Sequence, residues 1–308
     1  MIGGGCGFIG SALATSLVSH GFWVTSVDNL SSGHPLRIKS DRFAFEKGDL
    51  SSGRFVQKTL KAYRPDVFVY VAGQPDPDLG WKDPETDLSR TGGTILETLV
   101  ALEAQPPGHF VLISTGEAFG GETKEPIEEK DRPDPDNPYG ASHLLAESYL
   151  SLYARKLRMP FSILRISPVY GPGQGMDGEA GIFAAWARDF LSKDSRSLPK
   201  LTGNGGRTRD FLYLDDAIEG IACVIRMQLE GLFHMGAGKE VSERDVFTIF
   251  RSIMGSSCDY LYEGRYLSNT NKRIFSHRKL SDATGWEPEV SIEEGIRKTI
   301  EWFRRWVG

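Results

Sequence analysis

"GGGCGFIGSAL", residues Gly3–Leu13, sets glycines at 4, 7 and 10 and runs on into apolar residues. Glycines at this spacing permit a tight turn, close approach of backbone to a bound group, and close packing of a helix on a sheet. A helix starting near Phe8 and Ile9 aims its free N–H groups into that turn, an arrangement that holds a pyrophosphate. The next apolar run, "FWVTSVD" (residues 22–28), reads as a buried strand and ends on Asp28, eighteen residues beyond Gly10. A carboxylate there accepts hydrogen bonds from both ribose hydroxyls of an adenosine and repels a 2′-phosphate, so NAD is expected rather than NADP. Asp49, in "KGDL", is a candidate partner for the adenine amino group. Only Met1 and Ile2 precede the first glycine, against about five residues in an ordinary strand. Either the first strand is truncated or the native chain begins before this numbering.

The same alternation continues outward. "VFVYVAG" (67–73), "HFVLIST" (109–115) and "FSILRIS" (161–167) read as strands; 11–19, 55–63, 93–104 and 139–157 read as helices. Continuous apolar strands alternating with helices predict a parallel sheet covered on both faces, a Rossmann-type doubly wound α/β architecture. The sheet-forming part is expected over residues 1–166, with parts of 206–235 returning to it. Residues 167–308 are expected to form mainly a smaller, interleaved substrate-binding part. "VYGPGQGMDGEAG" (169–181) reads as a glycine-rich loop. "SIEE" (291–294) opens a last helix whose Ile296, Ile300 and Phe303 share one buried face.

Composition bounds the function. The chain has 308 residues, 40% hydrophobic and 25% charged, with a net charge of −5, and no long basic run, which argues against nucleic acid as a partner. Cys6, Cys223 and Cys258 fit neither a disulfide framework nor a zinc pattern and point to a reducing, cytoplasmic setting; no metal is expected. No apolar run approaches the roughly 20 residues of a membrane span, so no membrane partner is expected.

Seven segments in order resemble the extended short-chain dehydrogenase/reductase family, particularly its UDP-galactose 4-epimerase-like nucleotide-sugar epimerases and dehydratases. They are "GGGCGFIGS"; the "VDNLSSG" region, with Asn29, Leu30, Ser32 and Gly33; "VAGQ", with Val71, Ala72 and Gly73; "ISTGEAFG"; "NPYGASH"; "RISPVYGPGQG"; and "RTRDFLYLDD". The C-terminal "TGWEPEVSIEEGI" is similar to the family's ending. The resemblance implies an NAD-dependent enzyme, a homodimer, and a nucleotide-sugar substrate. It adds Leu50 and Pro168 to the cofactor side. It implies Tyr139 as general base, Thr115 as its partner on the reacting hydroxyl, and Arg209 on the diphosphate, with Arg265 as a candidate second diphosphate arginine. Gly116, Glu117 and Ser167 fall beside the sugar.

The implied chemistry oxidises a sugar hydroxyl, most naturally at C4, to a transient ketone. Returning hydride to the other face gives an epimer. The ketone also acidifies C5–H, opening elimination or decarboxylation with Glu117 as base. Gly116 stands where 4,6-dehydratases carry a proton donor, which favours epimerisation. His143 stands where the family has lysine in Tyr-x-x-x-Lys. A histidine is mostly uncharged at neutrality and a lysine is not, so His143 is expected to touch the nicotinamide ribose and tune Tyr139 less strongly. A catalytically weak protein that binds NAD and a sugar nucleotide is the third alternative.

Overall fold

The computed structural model describes residues 1–120, 125–175, 181–192, 198–264 and 273–307, with residues 263, 306 and 307 described by backbone alone. The chain supplies β1 (Ile2–Gly3), β2 (Val24–Asp28), β3 (Phe43–Lys47), β4 (Val67–Tyr70), β5 (His109–Thr115) and β6 (Phe161–Ile166) to one sheet. These strands lie in the order β3-β2-β1-β4-β5-β6, and a seventh, Gly231–Met235, pairs with β6 at the edge. All pairings are parallel.

Alternate residues of each strand feed two cores, which is why the strands read as unbroken apolar runs. Val111 and Ile113 of β5 point to one face, where α1 (Phe8–Ser19) packs. Phe110 and Leu112 point to the other, beneath α2 (Gly53–Tyr63), α5 (Thr94–Leu102) and α6 (Pro138–Leu157). Residues 75–88, rich in aspartate, fold into α3 (Pro77–Lys82) and α4 (Pro84–Leu88), each with proline in its first turn and aspartate as N-cap. A π-helical turn, Ser89–Gly93, joins α4 to α5.

After β6, α7 (Ile182–Leu191), α9 (Glu243–Met254) and α11 (Ile292–Val307) build a third core, in which Phe183, Trp186, Phe247, Phe250, Ile296, Ile300 and Phe303 are buried. Between them α8 (Leu214–Met227) returns to the sheet beside α1. α10 (Arg278–Thr284) packs beside the seventh strand.

β3 has no counterpart in the sequence reading, and neither, as a strand, does Gly231–Met235, which lies within the stretch 206–235 expected to return to the sheet-forming part. Both are edge strands with mixed burial, so neither carries a long apolar run. β1 is two residues long, Ile2–Gly3. Beside it a cavity of about 720 Å³, lined by Phe22, Val24, Phe43 and Val67 among others, opens at the end of the sheet away from the glycine turn. No helix among the described residues is long and apolar enough to cross a membrane.

Candidate active site

The strand order reverses between β1 and β4, and the crevice at such a reversal, at the carboxyl ends of the strands, is where α/β sheets bind ligands. Gly4 turns there with φ of +80°, and a side chain on it would come within 2.7 Å of the Ala72 backbone. A methyl on Gly10 would overlap the Gly4 carbonyl oxygen. Those two positions therefore require glycine, whereas Gly7 is the N-cap of α1. Phe8 and Ile9 begin α1 and pack partly into the core, leaving the first-turn N–H groups directed at the crevice.

Asp28 ends β2. Its Oδ2 accepts from the Cys6 N–H at 2.9 Å and its Oδ1 from the Leu30 N–H at 2.7 Å. Two backbone bonds fix the carboxylate and leave lone pairs for ribose hydroxyls. Leu30 adopts φ of +62°, which swings exposed Asn29, exposed Ser32 and Gly33 around the turn, and Gly33 lies against the Cys6 backbone. Asn29 Nδ2 donates to Asp49 at 3.0 Å, and Ser51 donates to it twice. Burial pushes Asp49 up, but those hydrogen bonds outweigh it and hold the carboxyl below its usual range. Leu50 is buried against Gly3.

On the other side of the crevice β4 runs into Val71, Ala72 and Gly73. Gly73 faces Thr91 of the π-turn and the His143 ring, whose Cε1 would lie 4.0 Å from a methyl there. A π-turn widens a helix locally and brings such a side chain inward.

Tyr139 and His143 lie on the first turns of α6, one turn apart, with ring centroids separated by 4.6 Å. Asn137 starts this helix, accepting the Gly140 N–H at 2.8 Å, with Pro138 following it. Thr115, the last residue of β5, lies beside Tyr139. Burial raises the Tyr139 phenol, the negative charge of Glu117 raises it further, and the nearby Thr115 hydroxyl opposes both. Burial alone lowers His143 to about 4, so its ring is neutral near pH 7. Its Nε2 is buried and has no hydrogen-bond partner among the described residues. A buried polar atom without a partner costs free energy unless a ligand or water meets it.

Glu117 does not face Tyr139 as an unoccupied carboxylate. Its Oε2 accepts from Asn137 Nδ2 at 2.9 Å, and its Oε1 pairs with Arg273, which also binds Asp136 at 3.1 Å. Gly116 packs against the Phe275 ring. Ser167 is only 1% exposed, tucked behind Gly236, and Pro168 is exposed beside it. Arg209 is buried, with Nη1 on the Thr208 carbonyl at 2.7 Å. Its neighbour Asp210, raised by burial, accepts from the Phe275 N–H at 3.1 Å. Arg265 lies outside the described residues.

Three features escaped the sequence reading. Arg273 sits in "NKRIF", where no periodicity marks it. Asp87 is fully buried, accepting from Gln74 at 3.2 Å and Ser142 at 2.6 Å, and burial raises its pKa. Glu147 and Arg165 form a buried bidentate pair, 2.6 Å at its shortest, joined by Ser114. Asn137 and Asp136 were legible in principle, because Asx-Pro before a helical run is an N-cap signature.

Residues 1–235 match the NAD dependent epimerase/dehydratase family. The UDP-glucose 4-epimerase of Thermus thermophilus, solved in complex with NAD, is 30% identical, with a TM-score of 0.88 over 98% of both chains. The UDP-glucose 4-epimerase of Thermotoga maritima, solved with UDP-glucose, is 28% identical, with a TM-score of 0.91 over 100% of this chain and 99% of that one. The human dTDP-D-glucose 4,6-dehydratase is 27% identical over 99% of this chain and 89% of its own length.

Proposed function

The chain belongs to the NAD dependent epimerase/dehydratase family and is an enzyme with NAD as its cofactor; on that premise we propose that it inverts C4 of a nucleotide sugar through a transient 4-keto sugar. The observation that carries this reading is Tyr139 placed beside Thr115 and against the His143 ring, whose Nε2 is unpartnered. The residues fit the cofactor: the glycine turn suits the pyrophosphate, Asp28 the adenosine ribose, and His143 a hydroxyl of the nicotinamide ribose. NAD, when bound, accepts hydride from the sugar carbon and returns it.

The chain's own groups do the rest. Tyr139 takes the hydroxyl proton, Thr115 orients that hydroxyl, and Arg209 holds the diphosphate. Epimerisation is favoured over elimination for two reasons. Gly116 has no proton to give a departing hydroxyl, and both Glu117 oxygens already accept from Asn137 and Arg273. UDP-glucose is the first probe, since both structures compared above are UDP-glucose 4-epimerases. Turnover in deuterated water followed by NMR is expected to give the C4 epimer with no deuterium at C5. A 4-keto-6-deoxy product, or deuterium at C5, would overturn the reading in favour of the C5-directed alternative.

One observation favours a second reading, a binding protein with little turnover: His143 is uncharged where the family carries a lysine. Reduction of bound NAD by any nucleotide sugar would exclude it. We further propose that the protein pairs with a second copy through α5 and α6, where Val100, Leu145 and Leu152 are exposed and Leu88, Leu145 and Tyr149 line a shallow groove.

A further inference from the structure

We infer that Arg273 is a positioning residue for Tyr139, acting through a clamp on the N-terminus of α6, and that Glu117 is the receiving end of that clamp. The inference rests on the epimerase reading above. Its geometry is compact. Arg273 is 2% exposed and grips two carboxylates at once, Glu117 through Nη1 and Asp136 through Nη2. Asn137, the N-cap of α6, lies between them: its Nδ2 donates to Glu117 at 2.9 Å and to Asp136 at 3.2 Å, while its Oδ1 accepts from Gly140 at 2.8 Å. Tyr139 is two residues further on. The other end of Glu117 is equally fixed, because it lies two residues after Thr115 in a 3₁₀ turn and its N–H donates to the Thr115 hydroxyl at 3.1 Å. The Gly140 Cα lies so close to the Glu117 carbonyl that a methyl there would overlap it. One guanidinium thus ties the end of β5, which carries Thr115, to the start of α6, which carries Tyr139.

The segment holding Arg273 is itself anchored. Ile127 donates to the Ile274 carbonyl at 2.8 Å and Ser276 to the Ile127 carbonyl at 2.9 Å. Phe275 packs on Gly116 and donates to Asp210, the residue after Arg209. The strap from Arg273 to Phe275 therefore reaches from the expected diphosphate end of the site to the catalytic tyrosine. A buried charge network of this kind holds its members only while complete, since removing one partner leaves the others buried and unpaired. A displacement of about 1 Å at a reacting group costs on the order of a hundredfold in rate.

The test uses the full chain with NAD and UDP-glucose, comparing native protein with Arg273→Met, Arg273→Lys and Glu117→Gln. Arg273→Met is expected to lower kcat about a hundredfold with KM within about twofold, and Arg273→Lys to recover about tenfold of that loss. Glu117→Gln is expected to lose about tenfold, because the amide keeps an acceptor for Arg273 but not one for Asn137. Native kcat in Arg273→Met would overturn the proposal, as would a loss in Arg273→Lys equal to that in Arg273→Met. Abolition of turnover by Glu117→Gln together with C5 exchange in the native enzyme would also overturn it. If Arg273→Met does not fold, the lysine and glutamine variants decide. If native protein turns over no nucleotide sugar, the epimerase reading fails. Crystal structures of native and Arg273→Lys then test the clamp alone: a start of α6, with Tyr139 and its position relative to Thr115, unmoved when the fork is replaced by an ammonium refutes it.

Discussion

Replacing His143 by lysine is expected to move the acid limb of the pH–rate profile downward by about two units. With a histidine lowered to about 4 by burial, the native site holds no positive charge at this position near neutrality. Tyr139 is raised by its burial and by three carboxylates, Glu117 from the turn after β5, Asp87 from α4 and Asp76 from the N-cap of α3. The Thr115 hydroxyl is the opposing influence from the protein. An ammonium at this position, if within about 5 Å of the phenolate oxygen, stabilises it by roughly 3 kcal/mol at an effective dielectric of about 20. At about 1.4 kcal/mol per unit this is about two pKa units. Burial pulls the lysine's own pKa down, but it begins near 10.4, so it remains charged over the measured range.

The sign follows from which form works. The base must be deprotonated, so kcat/KM falls on the acid side of the Tyr139 pKa, and a lower pKa carries activity to lower pH. The native enzyme is therefore expected to be most active on the alkaline side, and His143→Lys to gain near pH 7. The assay is kcat/KM for UDP-glucose from pH 6 to 10, with products resolved by NMR and NAD affinity measured in parallel. A shift of less than half a unit, with NAD still bound, would refute the electrostatic account of the Tyr-x-x-x-His pair.

Other outcomes follow from buried charge. His143 and His234 are each lowered to about 4 by burial, against 6.5 unfolded. The unfolded state binds more protons between those values, so stability falls as pH drops through that window, by about 2 kcal/mol per histidine between pH 7 and 5; urea titrations at both pH values check it, and His234→Gln removes its share. Glu147→Ala strands the buried Arg165 and is expected to cost about 3–5 kcal/mol, read as a drop in urea midpoint, whereas a loss under 1 kcal/mol contradicts the pairing. Asp28→Asn is expected to weaken NAD about ten- to a hundredfold by calorimetry, since hydrogen bonds to a charged group contribute roughly 1.5–3 kcal/mol. Leu152→Asp is expected to convert a dimer to monomers in sedimentation velocity, and a monomeric native protein would dispose of the proposed pairing.

What the sequence disclosed and what it hid divide along one physical line. The glycine turn, Asp28 and the Thr115 and Tyr139 segments were legible because local backbone demands or short spacings write them into a few consecutive residues. The helix-starting role of Asn137 belongs with them. Arg273, 156 residues from Glu117 along the chain, is invisible to any local pattern. The same is true of Glu147 with Arg165, and of Asp87, which looks like one more charge in an acidic loop until α4 turns it under α6. That distinction bears on Glu117. Read locally, an acid two residues after a catalytic threonine invites the role of a C5 base. Read in space, its two oxygens are spent on the N-cap of the helix that carries Tyr139 and on the arginine that buries the arrangement. The proposed reaction therefore rests on long-range partners as well as on the motif. On the proposed reading, Arg273 engages the carboxylate that elimination would need, and the bonds that occupy that carboxylate hold the segment of Thr115 to that of Tyr139, the proposed base.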